Sequence, residues 1–273
     1  MSKIEITYTS DCFSDSAQQL SNKLERPIRT DESSPYDYLL TISESGLSLI
    51  PSADKGYGSI QCDFAGGTHA HRRRFGGGNG QSIAKAVGVS GKFLPRVLDL
   101  TAGMGGDAFV LASLGCHVTM LERNPIVHSL LADGVERAVN NAQHGFVRDG
   151  SAGDTELGDI MARMTLIEAN SAAYLEQGPD HPVAPADVVY LDPMFPERKK
   201  SAKVKKEMQA FHALVGSDLD ADKLLALALK VANYRVVVKR PAGANHLADR
   251  KPSYSLEGKS TRYDIYTLKK LPS

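Results

Sequence analysis

The sequence predicts an α/β fold: a doubly wound, mostly parallel sheet with interleaved helices, preceded by a small β-rich N-terminal subdomain. Three observations carry that expectation. In Val97-Leu98-Asp99-Leu100-Thr101-Ala102-Gly103-Met104-Gly105-Gly106-Asp107, an apolar run ends in a carboxylate and then three glycines fall within four positions. The helical apolar spacing of Phe109, Val110 and Leu114 follows, so this is a strand turning tightly into a helix. From Arg96 onward, strand-like and helix-like segments alternate, the pattern of repeated strand–helix–strand units. Finally, Asp187-Val188-Val189-Tyr190-Leu191 is nearly all apolar, as a parallel strand buried on both faces should be.

The remaining elements follow in order. Tyr38–Ile42 and Leu47–Ile50 flank Glu44-Ser45-Gly46 and read as a hairpin. Ser59–Phe64 reads as a further strand, which makes residues 1–90 a β-rich subdomain with a glycine-rich loop, and residues 91–273 the main domain. After the glycine turn, Cys116–Leu121 is a second strand ending at Glu122. Asn124 caps a helix with Pro125 in its first turn and Ile126, Leu130, Leu131 and Val135 on its inner face. Residues 144–160 are polar and read as a loop; Met164–Ala169 is a third strand, ending at Asn170-Ser171. Pro179–Pro185 is a proline-marked loop, and Ala221–Val231 has helical spacing. Tyr234–Val238 is a fifth strand running into Lys239-Arg240, and Arg262–Leu268 alternates as an antiparallel edge strand.

Composition narrows the function. At 273 residues the chain buries roughly three quarters of its unfolded surface and needs no staples. Its 32 basic residues balance 32 acidic ones, so any basic patch is local. Cys12, Cys62 and Cys116 are widely separated, which argues against both a disulfide framework and a zinc site. His69 and His71 have no neighbouring Cys, Asp or Glu to complete a metal set. No apolar run approaches the roughly 18 residues needed to span a bilayer, and no signal peptide is visible. A soluble cytoplasmic protein is expected.

In a parallel sheet, ligands meet the carboxyl edge of the strands. Here those tips carry Asp99 with the turn glycines Gly103, Gly105 and Gly106, then Glu122, Asn170-Ser171 and Asp192. A carboxylate ending the second strand suits two ribose hydroxyls. Asp99 and Asp107 beside the turn would repel a pyrophosphate and favour a cationic ligand, and the Lys-Ser/Thr ending of a phosphate loop is missing. S-adenosylmethionine (SAM) fits better than a dinucleotide or ATP.

Asp192-Pro193-Met194-Phe195 offers two adjacent acceptors, the Asp192 carboxylate and the Pro193 carbonyl, to hold an exocyclic base amine, while Phe195 can stack on an extracted base. Directly after it, Glu197–Glu207 contains six basic residues (Arg198, Lys199, Lys200, Lys203, Lys205 and Lys206) against two acidic ones. This local excess, with Lys239 and Arg240 on the same edge and Arg72, Arg73 and Arg74 in the glycine-rich loop, suits a nucleic-acid backbone.

Residues 99–112 (DLTAGMGGDAFVLA), 120–125 (MLERNP), 188–196 (VVYLDPMFP) and 236–241 (VVVKRP) resemble the RsmJ family of bacterial class I methyltransferases. The segments 71–78 (HRRRFGGG) and 201–208 (SAKVKKEM) are similar to that family as well. The resemblance implies a seven-stranded Rossmann-like sheet, SAM as cofactor, and methylation of a guanine N2 amine in 16S ribosomal RNA, free or in the small ribosomal subunit. It also implies that Gly106-Asp107, Glu122-Arg123, Asn170-Ser171 and Asp192 hold the donor. Alternatives left open by the residues are methylation of a DNA base amine and a non-catalytic RNA-binding assembly factor.

Overall fold

The computed structural model describes residues 2–56, 58–66, 80–144, 155–177, 186–194 and 220–272. The chain opens with β1 (Ile4–Tyr8), α1 (Ser14–Leu24) and the hairpin β2 (Tyr38–Ser43) and β3 (Gly46–Pro51). β1 lies parallel to β2 and β2 antiparallel to β3. The hairpin stands as expected, with Gly46 at φ +100° closing its turn. The expected strand at Ser59–Phe64 is reduced to one bridge, Ile60 to Leu49. Pairing stops there because the Cys62 carbonyl accepts the Arg137 guanidinium, and Asp63 Oδ1 accepts the Ala65 and Gly66 N–H groups. The subdomain is less purely β than expected. α1 has only Ala17, Leu20 and Leu24 as its apolar stripe, the first and last of them buried, a thin signal for a helix.

The rest of the chain builds the main sheet. Its elements are α2 (Ser82–Val87), β4 (Arg96–Asp99), α3 (Gly106–Ser113), β5 (His117–Glu122), α4 (Pro125–His144), α5 (Thr155–Met161), β6 (Met164–Glu168) and α6 (Ser171–Glu176). They continue with β7 (Val188–Leu191), α7 (Ala221–Val231), β8 (Arg235–Pro241), β9 (Tyr254–Glu257) and β10 (Thr261–Thr267). The strand order is β6-β5-β4-β7-β8-β10-β9. The first five are mutually parallel; β10 runs antiparallel to both β8 and β9. This is the seven-stranded, mostly parallel sheet expected.

Three expectations change. The loop placed at 144–160 contains α5, whose Leu157, Ile160 and Met161 pack into the core. A short helix, α6, follows Asn170, whose Oδ1 caps it by accepting the Ala173 N–H at 3.0 Å. β10 is not the edge: β9 covers it, and Arg262–Tyr266 are all buried. The loop expected at Pro179–Pro185 lies outside the described residues.

Alternation along the strands explains the two cores. In β7, Val188 and Tyr190 face α2, α3 and α4, while Val189 and Leu191 face α6 and α7. α2, on the N-terminal side of the boundary expected near residue 90, contributes Ile83, Ala84, Ala86 and Val87 to the first core. β4 lies between β5 and β7, so strand order departs in both directions from it. That switch point opens the crevice at the strands' carboxyl ends.

Candidate active site

The glycine turn after β4 is pinned from both neighbouring strands. The Leu100 N–H donates to the Tyr190 carbonyl at 3.0 Å, and the Ala102 N–H to the Leu121 carbonyl at 3.0 Å. Gly103, at φ +55°, then points its N–H at Glu122 Oε2 at 2.9 Å, while Glu122 Oε1 accepts the Asn124 N–H at 2.7 Å. One buried carboxylate thus clamps the turn to the end of β5. Gly105 serves packing: at φ +71°, an added Cβ would lie 2.8 Å from Leu131 Cδ1 and 3.1 Å from Phe64 Cζ. Gly106 opens α3.

Beside this turn lies a cleft of about 60 Å³, at the carboxyl ends of the strands where ligands meet such sheets. Leu100, Leu121 and Leu224 supply apolar wall, and of the residues expected to hold the donor, Gly103, Glu122, Arg123, Ser171 and Asp192 line the cleft. Thr101, Met194 and Asp220 join them. Asp220, at the N-terminal end of α7, accepts from Arg123 Nη1 at 2.9 Å. Asp220 directly precedes α7 in sequence, and tertiary structure brings it to the cleft. Asn170 and Ser171 hold the wall rather than present bare polar groups. Asn170 caps α6, and the Ser171 hydroxyl donates to the Leu100 carbonyl at 2.6 Å.

Asp99 sits beneath the cleft, 2% exposed, its Oδ1 accepting the Thr101 N–H at 2.9 Å. Burial drives its carboxyl up to about 7; the Thr101 N–H opposes this, and the charges of Asp107, Asp192 and Glu122 add to it. Because the folded value lies above the ordinary 3.8, this group's contribution to folding is complete below a pH of about 4 and is lost as pH rises through about 7. A cation entering the cleft favours ionised Asp99. Binding of SAM is therefore expected to release protons at pH 6–7 and to weaken as pH falls below about 7. Calorimetry in two buffers of different ionisation enthalpy checks this; identical heats at pH 6.5 would contradict it.

Asp107 and Asp192 meet at one lysine. Lys239 Nζ lies 2.7 Å from Asp107 Oδ2 and 2.9 Å from Asp192 Oδ2. The Tyr190 hydroxyl donates to the same Asp107 oxygen at 2.6 Å, and the Asp192 N–H donates to Thr101 Oγ1 at 2.7 Å. Burial works against the Lys239 ammonium, but the Asp192 and Asp107 carboxylates outweigh it and raise its pKa. Burial, with the two aspartates, holds the Tyr190 hydroxyl well above the usual phenol range.

Lys239, expected from sequence at an RNA contact, turns its ammonium into the acidic cluster, with its side chain 26% exposed. Arg240 also departs from that assignment. It is 5% exposed, and its guanidinium donates to the Asn245 carbonyl. Alternation along β8 sends these two neighbours to opposite faces. Phe195, Arg72, Arg73, Arg74, Arg198, Lys199, Lys200, Lys203, Lys205 and Lys206 lie outside the described residues. Among the described residues, no helix is long and apolar enough to cross a membrane.

The arrangement resembles known proteins over its whole length. Residues 22–268 match the family described as "Putative SAM-dependent methyltransferase". A Cellvibrio japonicus protein named ribosomal RNA small subunit methyltransferase J is 51% identical, with all of both chains covered. A protein of the same name from Pseudomonas aeruginosa is 48% identical over 96% of this chain and 94% of its own. Among solved structures, a SAM-dependent methyltransferase from Neisseria gonorrhoeae superposes with a TM-score of 0.69 at 34% identity. That match covers 96% of this chain and 95% of the other.

Proposed function

The chain belongs to the ribosomal RNA small subunit methyltransferase J family of SAM-dependent methyltransferases, and from that premise we propose that it methylates a guanine N2 amine of 16S ribosomal RNA. The observation that carries this reading is the placement of Glu122 and Asp192 in one cleft, at strand tips on either side of β4. The first is placed for a nucleoside, the second for an amine.

The residues present fit SAM. Carboxylates surround the cleft, its walls carry three leucines, and at the open turn the nearest described atom beyond Gly103's chain neighbours to where a Cβ would stand is the Thr101 carbonyl, at 4.0 Å. The Glu122 carboxylate, an acceptor through both oxygens, would accept ribose hydroxyls. Leu100, Leu121 and Leu224 would bracket the adenine. Gly103, Arg123 and Ser171 would complete the wall around it, while Asp99, Asp107 and Asp192 set a negative potential for the cationic end.

When bound, SAM supplies an electrophilic methyl group on a positively charged sulfur. The chain's own task is to hold the amine. The Asp192 carboxylate and Pro193 carbonyl would accept the two amine hydrogens, drawing the nitrogen out of ring conjugation and aiming its lone pair at the methyl carbon. The proton that the nitrogen gives up on methylation would pass to the Asp192 carboxylate, which already accepts it, and from there to solvent. Phe195 would stack on the extracted base, and the basic residues of 197–207 with Arg72–Arg74 would meet the RNA backbone.

Incubation with tritiated SAM, comparing 16S RNA, small subunits and DNA, tests the assignment. Label is expected in a ribosomal guanine. Label in DNA alone would overturn it.

A further inference from the structure

We propose that Lys239 is a positioning residue: its ammonium fixes the Asp192 carboxylate for the base amine, anchored in turn by Asp107 and Tyr190. This rests on the reading that Asp192 holds the amine. It gives Lys239 and Asp107 a task that neither a donor contact nor an RNA contact describes.

The geometry is a chain of short polar contacts running from the core to the cleft. The Tyr190 ring is buried within β7, and its hydroxyl holds Asp107 Oδ2 at 2.6 Å. That oxygen holds Lys239 Nζ at 2.7 Å, and the ammonium reaches Asp192 Oδ2 at 2.9 Å. β8 lies beside β7, with Leu191 opposite Val238, so Lys239 arrives level with Asp192. On its other side β10 places Tyr263 opposite Lys239, and Asp99 lies below on β4.

Three consequences follow. Asp192 is gripped at both ends, its N–H by Thr101 Oγ1 and its carboxylate by Lys239, so rotation of its side chain is restricted before substrate arrives. The ammonium separates two carboxylates that would otherwise repel each other across the same small space. Finally, with two of its three N–H donors directed at carboxylates and its side chain only 26% exposed, Lys239 is poorly placed to neutralise a phosphate. A small displacement of a group that orients a reacting atom can lower rate by about 100-fold, and that sets the size of the effect sought.

The test compares Lys239→Met, Lys239→Arg, Tyr190→Phe and Asp192→Asn, with the double variant Lys239→Met/Asp192→Asn, in steady-state transfer to small-subunit RNA. Lys239→Met should lower kcat roughly 30- to 100-fold and leave KM for SAM and RNA within about 3-fold. The salt dependence of RNA binding should not change. Lys239→Arg, which keeps a cation in reach of both carboxylates, should recover at least about tenfold of the loss. The double variant should be no slower than Asp192→Asn alone, because the lysine acts through that carboxylate.

If Asp192→Asn is impaired while Lys239→Met keeps the parental kcat, the positioning role falls and the amine-holding role of Asp192 stands. If Asp192→Asn keeps the parental kcat, the underlying reading falls and takes the inference with it. A raised RNA KM with a flatter salt slope in Lys239→Met would make the lysine a phosphate contact and overturn the proposal. Should Lys239→Met not fold, Tyr190→Phe decides the matter. It should lower kcat by about 3- to 10-fold with both KM values held, and an unaltered kcat would contradict the relay.

Discussion

Asp192→Ala is expected to reduce methyl transfer by about 10³-fold while changing the affinity for SAM only a few-fold. The size comes from removing a preorganised hydrogen-bonding group at the reacting atom, worth about 10²–10³ in kcat. Loss of the carboxylate also releases Lys239 from one of its two carboxylate partners among the described residues and so loosens the end of β8. The selectivity between transfer and binding follows from position. Asp192 stands at the cleft's rim with its side chain 40% exposed, whereas Glu122 stands inside it at 6% exposed. Single-turnover transfer with saturating SAM, paired with calorimetric SAM binding, separates the two. Near-parental transfer by the variant would remove Asp192 from the chemistry.

Glu122→Ala should show the opposite pattern, with SAM affinity lost by about 100-fold or more. Two charge-assisted hydrogen bonds hold backbone in place, from the Gly103 and Asn124 N–H groups, and each such bond is worth about 1.5–3 kcal/mol. Without the carboxylate those N–H groups lose their partner, the turn at φ +55° loses its clamp, and the ribose loses its acceptor. Glu122→Gln keeps one oxygen and should fall between the two. A dissociation constant for the alanine variant within about threefold of the parent would show that the donor does not use this strand tip.

The contrast between these variants shows what was legible in the chain. Parallel strands buried on both faces leave long apolar runs, and the residue at which each run stops is forced to the sheet's edge. Asp99, Glu122 and Asp192 could therefore be placed without a structure, and the glycine turn marked which edge mattered. Three of the turn residues then prove to have different tasks. Gly103 presents its N–H to Glu122, Gly105 makes room for Leu131 and Phe64, and Gly106 begins α3.

Direction was harder to read than position. Lys239 and Arg240 are adjacent cations at a strand end, and charge alone sends both toward a polyanion. One residue of β alternation separates them instead, so that Lys239 joins Asp107 and Asp192 while Arg240 is buried against the Asn245 carbonyl. Asp220 was invisible for another reason. Its role comes from α7 bringing it against Arg123, a meeting of distant segments that no local pattern encodes. The short elements α5, α6 and β9 escaped notice because a handful of residues, such as Tyr254–Glu257, carries too few periods to stand out.

A crystal structure of the protein soaked with a non-reactive SAM analogue is the most direct measurement. The account predicts ribose hydroxyls on Glu122, adenine between Leu121 and Leu224, and the cationic end directed toward Asp192. An analogue seated away from Glu122, or turned so that its cationic end faces away from Asp192, would contradict it.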